Sequence, residues 1–349
     1  MDDGHSGKFS TVLFDLDGVI TGEQAYWKAA ALTVYEYFYE DLELNSEFCY
    51  EEADSIMDTV FSYQETVVTL KSLGLNSNWD LAYAVILTTD ILKSEGIEEE
   101  EIFAMVPEFL ADKNILAPEL LDVLAQEYEE IFNYPEGYAR KGGEFYDEIV
   151  RKFQHWYLGD EGYVVQYHEP VPMEKGNIGL VDSEEPLLGL SETKNLLKQL
   201  HDAGYTLGIG SGRPRQELER PLKNWEVFDY FDSDRIVSYD DVLCWQKEYK
   251  KQYSSDEKLV KPHPFQFLKG AFGKEFSLEH LQSKQNLSHI LVVGDALCDL
   301  IAAHDAGCQF CAVLTGVDGK DARTFFENMG ADYILEDATE LPKLLLPKE

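Results

Sequence analysis

A short apolar run, TVLFD (Thr11–Asp15), ends in carboxylates and Gly18, and no clear strand follows it from about residue 22 to 165. A β-favouring run closed by a polar turn reads as one strand. Its partners must come from beyond that gap, where the pattern changes and helical runs alternate with short apolar strands. Such alternation requires a parallel sheet built through crossovers. The chain is therefore predicted to be α/β: a Rossmann-like doubly wound parallel sheet split by a large inserted helical domain. The sheet domain takes residues 1–21 and 186–349, and the helical cap domain residues 22–185. The insertion leaves and returns near the carboxyl edge of the sheet, where ligands bind in open α/β folds, so it is expected to act as a lid.

Within the insertion, helices are predicted over Glu23–Tyr39, over Asn78–Ser94 with Ser77 as N-cap, over Pro118–Phe132, and over Glu144–Tyr157 after the Gly142-Gly143 break. YVVQYH (Tyr163–His168) reads as a β-rich stretch. Beyond it, strands are predicted at Tyr205–Gly210, Arg235–Tyr239, His289–Val293, Gln309–Leu314 and Asp332–Leu335. The intervening helices are Ser191–Ala203 with Ser191 as cap, Arg215–Trp225, the later part of Leu259–Phe272, and Leu297–Asp305.

Composition excludes several classes. The 349 residues include 66 acidic against 29 basic ones, a formal net charge of −37. A surface this acidic repels nucleic acid and anionic lipid. An anionic substrate has to be held by a local positive site rather than by the overall field. No stretch approaches the roughly 20 apolar residues of a membrane helix, and MDDGHSGKFS is no signal peptide, so a cytoplasmic location is expected. The five cysteines have no framework spacing, which suits a reducing compartment. Cys308 and Cys311 form one CxxC inside an apolar run and read as small core residues.

Polar residues fall at the carboxyl ends of four segments. Asp15 and Asp17, two residues apart at a strand end, offer a nucleophile and a proton-transfer group, and Gly18 allows a sharp turn. Ser211 follows the strand TLGIG, where its hydroxyl and the Gly212 amide can donate to a phosphoryl oxygen. Lys261, in KPHP, supplies a point charge for a phosphate. Asp295 and Asp299 follow LVVG and lie one helical turn apart, a hard-oxygen pair suited to Mg2+. Each group alone also fits a solvated turn, a helix cap or a surface cation. Their joint occurrence in one order on one sheet carries the reading.

That order resembles the signature of the haloacid dehalogenase-like superfamily, in its C1-capped phosphatase type. FDLDGV (Phe14–Val19) is similar to its first motif, GIGSGRP with Ser211 to its second, Lys261 in KPHP to its third, and VVGDALCD (Val292–Asp299) to its fourth. The resemblance covers residues 8–20 and 186–340, while the insertion matches only in position. It implies a Mg2+-dependent phosphohydrolase of a small phosphorylated metabolite, with an aspartyl-phosphate formed on Asp15 and Asp17 as acid, then base. It also implies Mg2+ held by Asp15, the Asp17 carbonyl and Asp295, with Asp299 as ligand or close by. Ser211, Gly212 and Lys261 are expected on the phosphoryl oxygens. Asp15, Asp295, Asp299 and a phosphoryl dianion outweigh Mg2+ and Lys261 in charge, so Asp17 is expected to meet substrate protonated. Arg213, Tyr26 and Trp27 are weaker candidates for substrate contact. A phosphomutase of the β-phosphoglucomutase type needs the same two aspartates, and a non-catalytic sensor of a phosphorylated ligand is a third reading.

Overall fold

Strand β1 (Thr11–Phe14) is buried along its whole length, as a run of Thr, Val, Leu and Phe between two parallel neighbours should be. The computed structural model describes residues 8–39, 46–75, 77–98, 101–117, 119–172, 176–316 and 319–346. The chain divides into two compact units, Met1–Glu23 with Glu184–Glu349, and Gln24–Ser183.

The second unit is helical: α1 (Gln24–Phe38), α2 (Ser46–Glu51), α3 (Ala53–Val60), α4 (Glu65–Ser72), α5 (Asn78–Ser94), α6 (Ile102–Lys113), α7 (Glu119–Phe132) and α8 (Glu144–Tyr167). Helix α5 is buried on nearly every side and sits against α1, α6, α7 and α8. It starts where the sequence places it, with the Ser77 side chain accepting from Asp80 N. Pro118, the first residue of the helix expected before Phe132, lies outside the described residues.

The expected β-rich stretch at Tyr163–His168 is instead the second half of α8. Gly159 breaks the helix with φ 75° and ψ 175°, and the chain then resumes helical geometry. Tyr163 is buried and stacks on Tyr167 at 4.7 Å, one turn on, while Val164 and Val165 face solvent. The described residues of this unit hold no strand. A strand here would leave its backbone unpaired, whereas a helix pairs it internally, and that outweighs the β preference of Val and Tyr.

The first unit carries β2 (Thr206–Gly210), β3 (Ile236–Val237), β4 (Ile290–Gly294), β5 (Gln309–Val313) and β6 (Tyr333–Leu335). With β1 they form one sheet in the order β3-β2-β1-β4-β5-β6, parallel throughout. Alternation along β1 sends Val12 and Phe14 to one face and Leu13 to the other. The first face is covered by α9 (Leu190–Asp202), α10 (Arg215–Asn224) and, at the end of the chain, the short α15 (Leu341–Leu345). The second is covered by α11 (Tyr239–Tyr253), α12 (Phe265–Phe272), α13 (Leu297–Ala306) and α14 (Ala322–Met329).

Two local expectations change. The strand expected over Arg235–Tyr239 is only two residues long, because Ser238 opens α11 with a capping box closed by Asp241. Helix α9 is capped by Gly189, not Ser191, with no side-chain cap bond. Cys308 and Cys311 are buried in and beside β5, and burial pushes both thiols up to about 12. They are core residues. No helix among the described residues is long and apolar enough to cross a membrane.

Candidate active site

Register brings the predicted residues together. Phe14 is level with Ile209 on β2 and with Val293 on β4, and the Asp15 amide donates to Val293 O at 2.9 Å. The residues just past these strands are Asp15, Ser211 and Asp295, so three distant segments end at one edge of the sheet. Asp299 joins them from the first turn of α13. Asp15, Asp295 and Asp299 each offer a carboxylate oxygen within 4.8 Å of the others.

Lys261 is set among these acids, its ammonium 2.8 Å from Asp15 Oδ1 and 2.7 Å from Asp299 Oδ1. Burial works to lower the Lys261 ammonium, but the carboxylates of Asp15 and Asp299 outweigh it and hold it above its usual range. Burial also pushes the Asp15 carboxyl up to about 7, against the pull of Lys261 and with the help of Asp299. Burial, then Asp299 and Asp15, raise Asp295 well above the carboxylate range. Asp299 is fully buried, and among the described residues its Oδ2 receives no hydrogen bond. Three clustered carboxylates, one with a buried oxygen lacking a donor, fit a hard divalent cation, because an added positive charge answers both the repulsion and the orphaned oxygen.

The backbone makes room for this cluster. After β1 the chain folds over itself, with the Val19, Ile20 and Thr21 amides all converging on Leu16 O. Gly18 takes φ +74°, and a Cβ at Gly18 or at Gly316, beyond β5, would overlap the Asp295 carboxylate. Thr315 Oγ1 donates to Gly18 O and ties the two loops together.

Asp17 does not join the three acids. Its carboxylate accepts from Thr21 Oγ1 at 3.0 Å, from Arg213 Nη2 at 2.6 Å, and from Arg213 Nε at 3.1 Å to each oxygen. The same guanidinium donates through Nη1 to both oxygens of Glu184, at 3.1 and 3.0 Å. Arg213, expected at the substrate, is instead 2% exposed and committed to two carboxylates.

The loop bearing Ser211 lies along the junction of β3 and α11: Ser211 N donates to Val237 O and Tyr239 N to Arg213 O. The Ser211 hydroxyl is buried and accepts from Arg213 N at 3.1 Å, and Gln266 Nε2 holds the Ser211 carbonyl at 2.6 Å. Gly212 is exposed, with open space where a Cβ would stand. His263 Nδ1 accepts from Phe265 N at 3.2 Å and shapes the Lys261 loop. On α1, Tyr26 is taken up by the core of the helical unit, stacked on Tyr157 at 4.2 Å, and Trp27 is partly buried against that core.

Sequence reading passed over Thr21, Glu184, Thr315 and Gly316. Position beyond a strand end was the available signal for Thr315 and Gly316. Glu184 had none, since its neighbours in sequence say nothing of Arg213.

Acids gathered round a lysine at the carboxyl edge of a parallel sheet define a class of hydrolase. The family model described as haloacid dehalogenase-like hydrolase matches residues 9–307, and the chain belongs to that family. Among curated proteins it is similar to Pyrophosphatase PpaX of Bacillus mycoides (strain KBAB4), 29% identical over 149 residues, 43% of this chain and 56% of that protein. The same protein of Bacillus anthracis (strain CDC 684 / NRRL 3495) is 28% identical over the same shares. The chain spans about half the length of the curated relatives it matches. An X-ray structure from the Northeast Structural Genomics Consortium is similar at 27% identity and TM-score 0.78, covering 96% of this chain and 98% of that one.

Proposed function

We propose that this protein is a Mg2+-dependent phosphatase of a small phosphorylated metabolite, working through an aspartyl-phosphate on Asp15. The observation that carries the reading is Lys261 bridging Asp15 and Asp299 beside Asp295 at the strand ends. An overall charge of −37 repels phosphate esters, so binding depends on such a local cationic site. Asp15 and Asp295, with Asp299 and the Asp17 carbonyl, would hold Mg2+. When bound, the ion supplies positive charge to the phosphoryl oxygens.

In the first step an Asp15 oxygen forms a bond to phosphorus while the bond to the ester oxygen breaks, and Asp17 gives that oxygen its proton. In the second, Asp17 takes a proton from water as the water oxygen attacks phosphorus, which frees Asp15 and inorganic phosphate. Lys261, the Ser211 hydroxyl and the Gly212 amide stabilise charge on the transferred group. Purified protein with Mg2+ should hydrolyse p-nitrophenyl phosphate, and Asp15→Asn should abolish turnover. Unchanged turnover in that variant removes Asp15 from the reaction. A panel of phosphorylated metabolites, with inorganic pyrophosphate included because of the PpaX relatives, should find the substrate by release of phosphate. Isomer interconversion without phosphate release would instead identify a mutase.

A further inference from the structure

We propose that Arg213, anchored by Glu184 and assisted by Thr21, is the positioning residue for Asp17 and leaves Asp17 Oδ2 as the oxygen that exchanges the proton; this rests on the acid/base role given to Asp17 above. Asp17 Oδ1 receives Arg213 Nη2 at 2.6 Å, Thr21 Oγ1 at 3.0 Å and Arg213 Nε at 3.1 Å. Among the described residues, Oδ2 receives only the shared Nε contact, at 3.1 Å. A carboxylate oxygen has two lone pairs, so Oδ1 is saturated by donors and cannot also carry a proton. The working proton therefore belongs to Oδ2.

The arginine is itself fixed. Nη1 donates to both Glu184 oxygens and, at 3.3 Å, to Glu217 O. The Arg213 and Glu184 side chains are each 2% exposed, whereas that of Asp17 is 31% exposed. A rigid planar fork thus runs from a buried anchor to a reachable carboxyl, a geometry that an ammonium cannot reproduce. Glu184 grips Nη1, while Nε and Nη2 face Asp17, so the anchor and the clamped carboxyl use different edges of one guanidinium.

Both grips also stand on adjoining segments. Thr21 bridges Pro186 in an antiparallel pair, and Leu187 N donates to Ile20 O at 2.9 Å. Thr21 and Glu184 therefore lie on neighbouring stretches at which the chain leaves and rejoins the sheet unit. A phosphate could reach this guanidinium only by displacing two carboxylates, which separates its role from substrate binding.

The test uses Arg213→Met, Arg213→Lys, Glu184→Gln and Thr21→Val in the full chain. Two substrates are compared: p-nitrophenyl phosphate, whose leaving group needs little protonation, and phenyl phosphate, whose leaving group needs more. Rapid mixing follows release of the first product, and acid quenching measures phosphoenzyme. With Arg213→Met, kcat should fall about 10- to 100-fold for phenyl phosphate. With p-nitrophenyl phosphate, a burst of one p-nitrophenol per active site should precede slow turnover, and the phosphoenzyme should accumulate, because its hydrolysis lacks a positioned base. Thr21→Val and Glu184→Gln should shift the same readouts in the same direction by less, and Arg213→Lys should restore only part of the loss. An equal proportional loss for both substrates, with no burst and a parental phosphoenzyme level, overturns the proposal. If Arg213→Met fails to fold, Thr21→Val and Glu184→Gln decide by the same two readouts. Turnover by Asp15→Asn removes the covalent reading altogether, whereas an inactive Asp15→Asn with unaltered phosphoenzyme in the clamp variants rejects only the positioning role.

Discussion

Replacing Lys261 with Met separates the charge balance of the cluster from its packing. The ammonium stands 2.8 Å from Asp15 and 2.7 Å from Asp299, and its side chain is 10% exposed. At an effective dielectric of about 20, each contact corresponds to roughly 6 kcal/mol of Coulomb energy. The realised loss is smaller, because a buried acid that loses its cation can take up a proton instead of remaining charged. Breaking a buried pair from one side costs about 3–5 kcal/mol.

The sign of the pH dependence follows from Asp15. Its folded value, about 7, lies above its ordinary 3.8, so the folded state holds a proton that the unfolded chain releases. The resulting stability is present below the unfolded value and is lost as pH rises through the folded one. Removing Lys261 raises the folded value further. Parent and variant both carry the proton near pH 6, and the gap opens above about 7. Urea unfolding in EDTA, followed by hydrogen exchange of the β1 and β4 amides, should show a deficit of ~3–5 kcal/mol at about pH 8.5 and less at about pH 6. Adding Mg2+ should recover part of it. A metal-free variant as stable as the parent at the higher pH would refute the balance, as would a deficit that does not grow with pH.

Gly316→Ala places a Cβ on the Asp295 carboxylate; Mg2+ affinity by calorimetry should fall about 10-fold or more with an unchanged circular dichroism spectrum, since displacing a ligand costs on this order. Because burial raises Asp15 to about 7 and Asp295 well above its ordinary value, Mg2+ binding should release protons and strengthen as pH rises through neutrality. Calorimetry in buffers of differing ionisation enthalpy reads this directly, and identical heats would contradict it. In the helical unit, Gly159→Ala forces a side chain onto a residue at φ +75° and against the Asn177–Ile178 backbone. It should cost more than ~1 kcal/mol, seen as faster exchange in α8.

Pattern reaches what depends on neighbours in sequence. The apolar run before Asp15 could only be a buried strand, and the alternation after residue 190 could only be a parallel sheet. Parallel strands that end level with one another carry their next residues to one edge, so Asp15, Ser211 and Asp295 were legible as a group without coordinates, with Asp299 one turn further on. Helix α5 and its Ser77 cap were legible for the same reason: period and cap are local.

Other features depended on contacts that no local pattern encodes. Tyr163–His168 has β-favouring residues but, among the described residues of its unit, no strand to pair with, so it became helix. Arg213 follows the second motif and reads as a cation for substrate. Only the fold sets Glu184, 29 residues before it, and Asp17, 196 before it, against one guanidinium. Residue types and strand order determined that acids and a lysine would meet. Which acid Lys261 neutralises, and which one Arg213 holds, was decided by burial, because a charge removed from water must bind whichever partner the packing brings within reach.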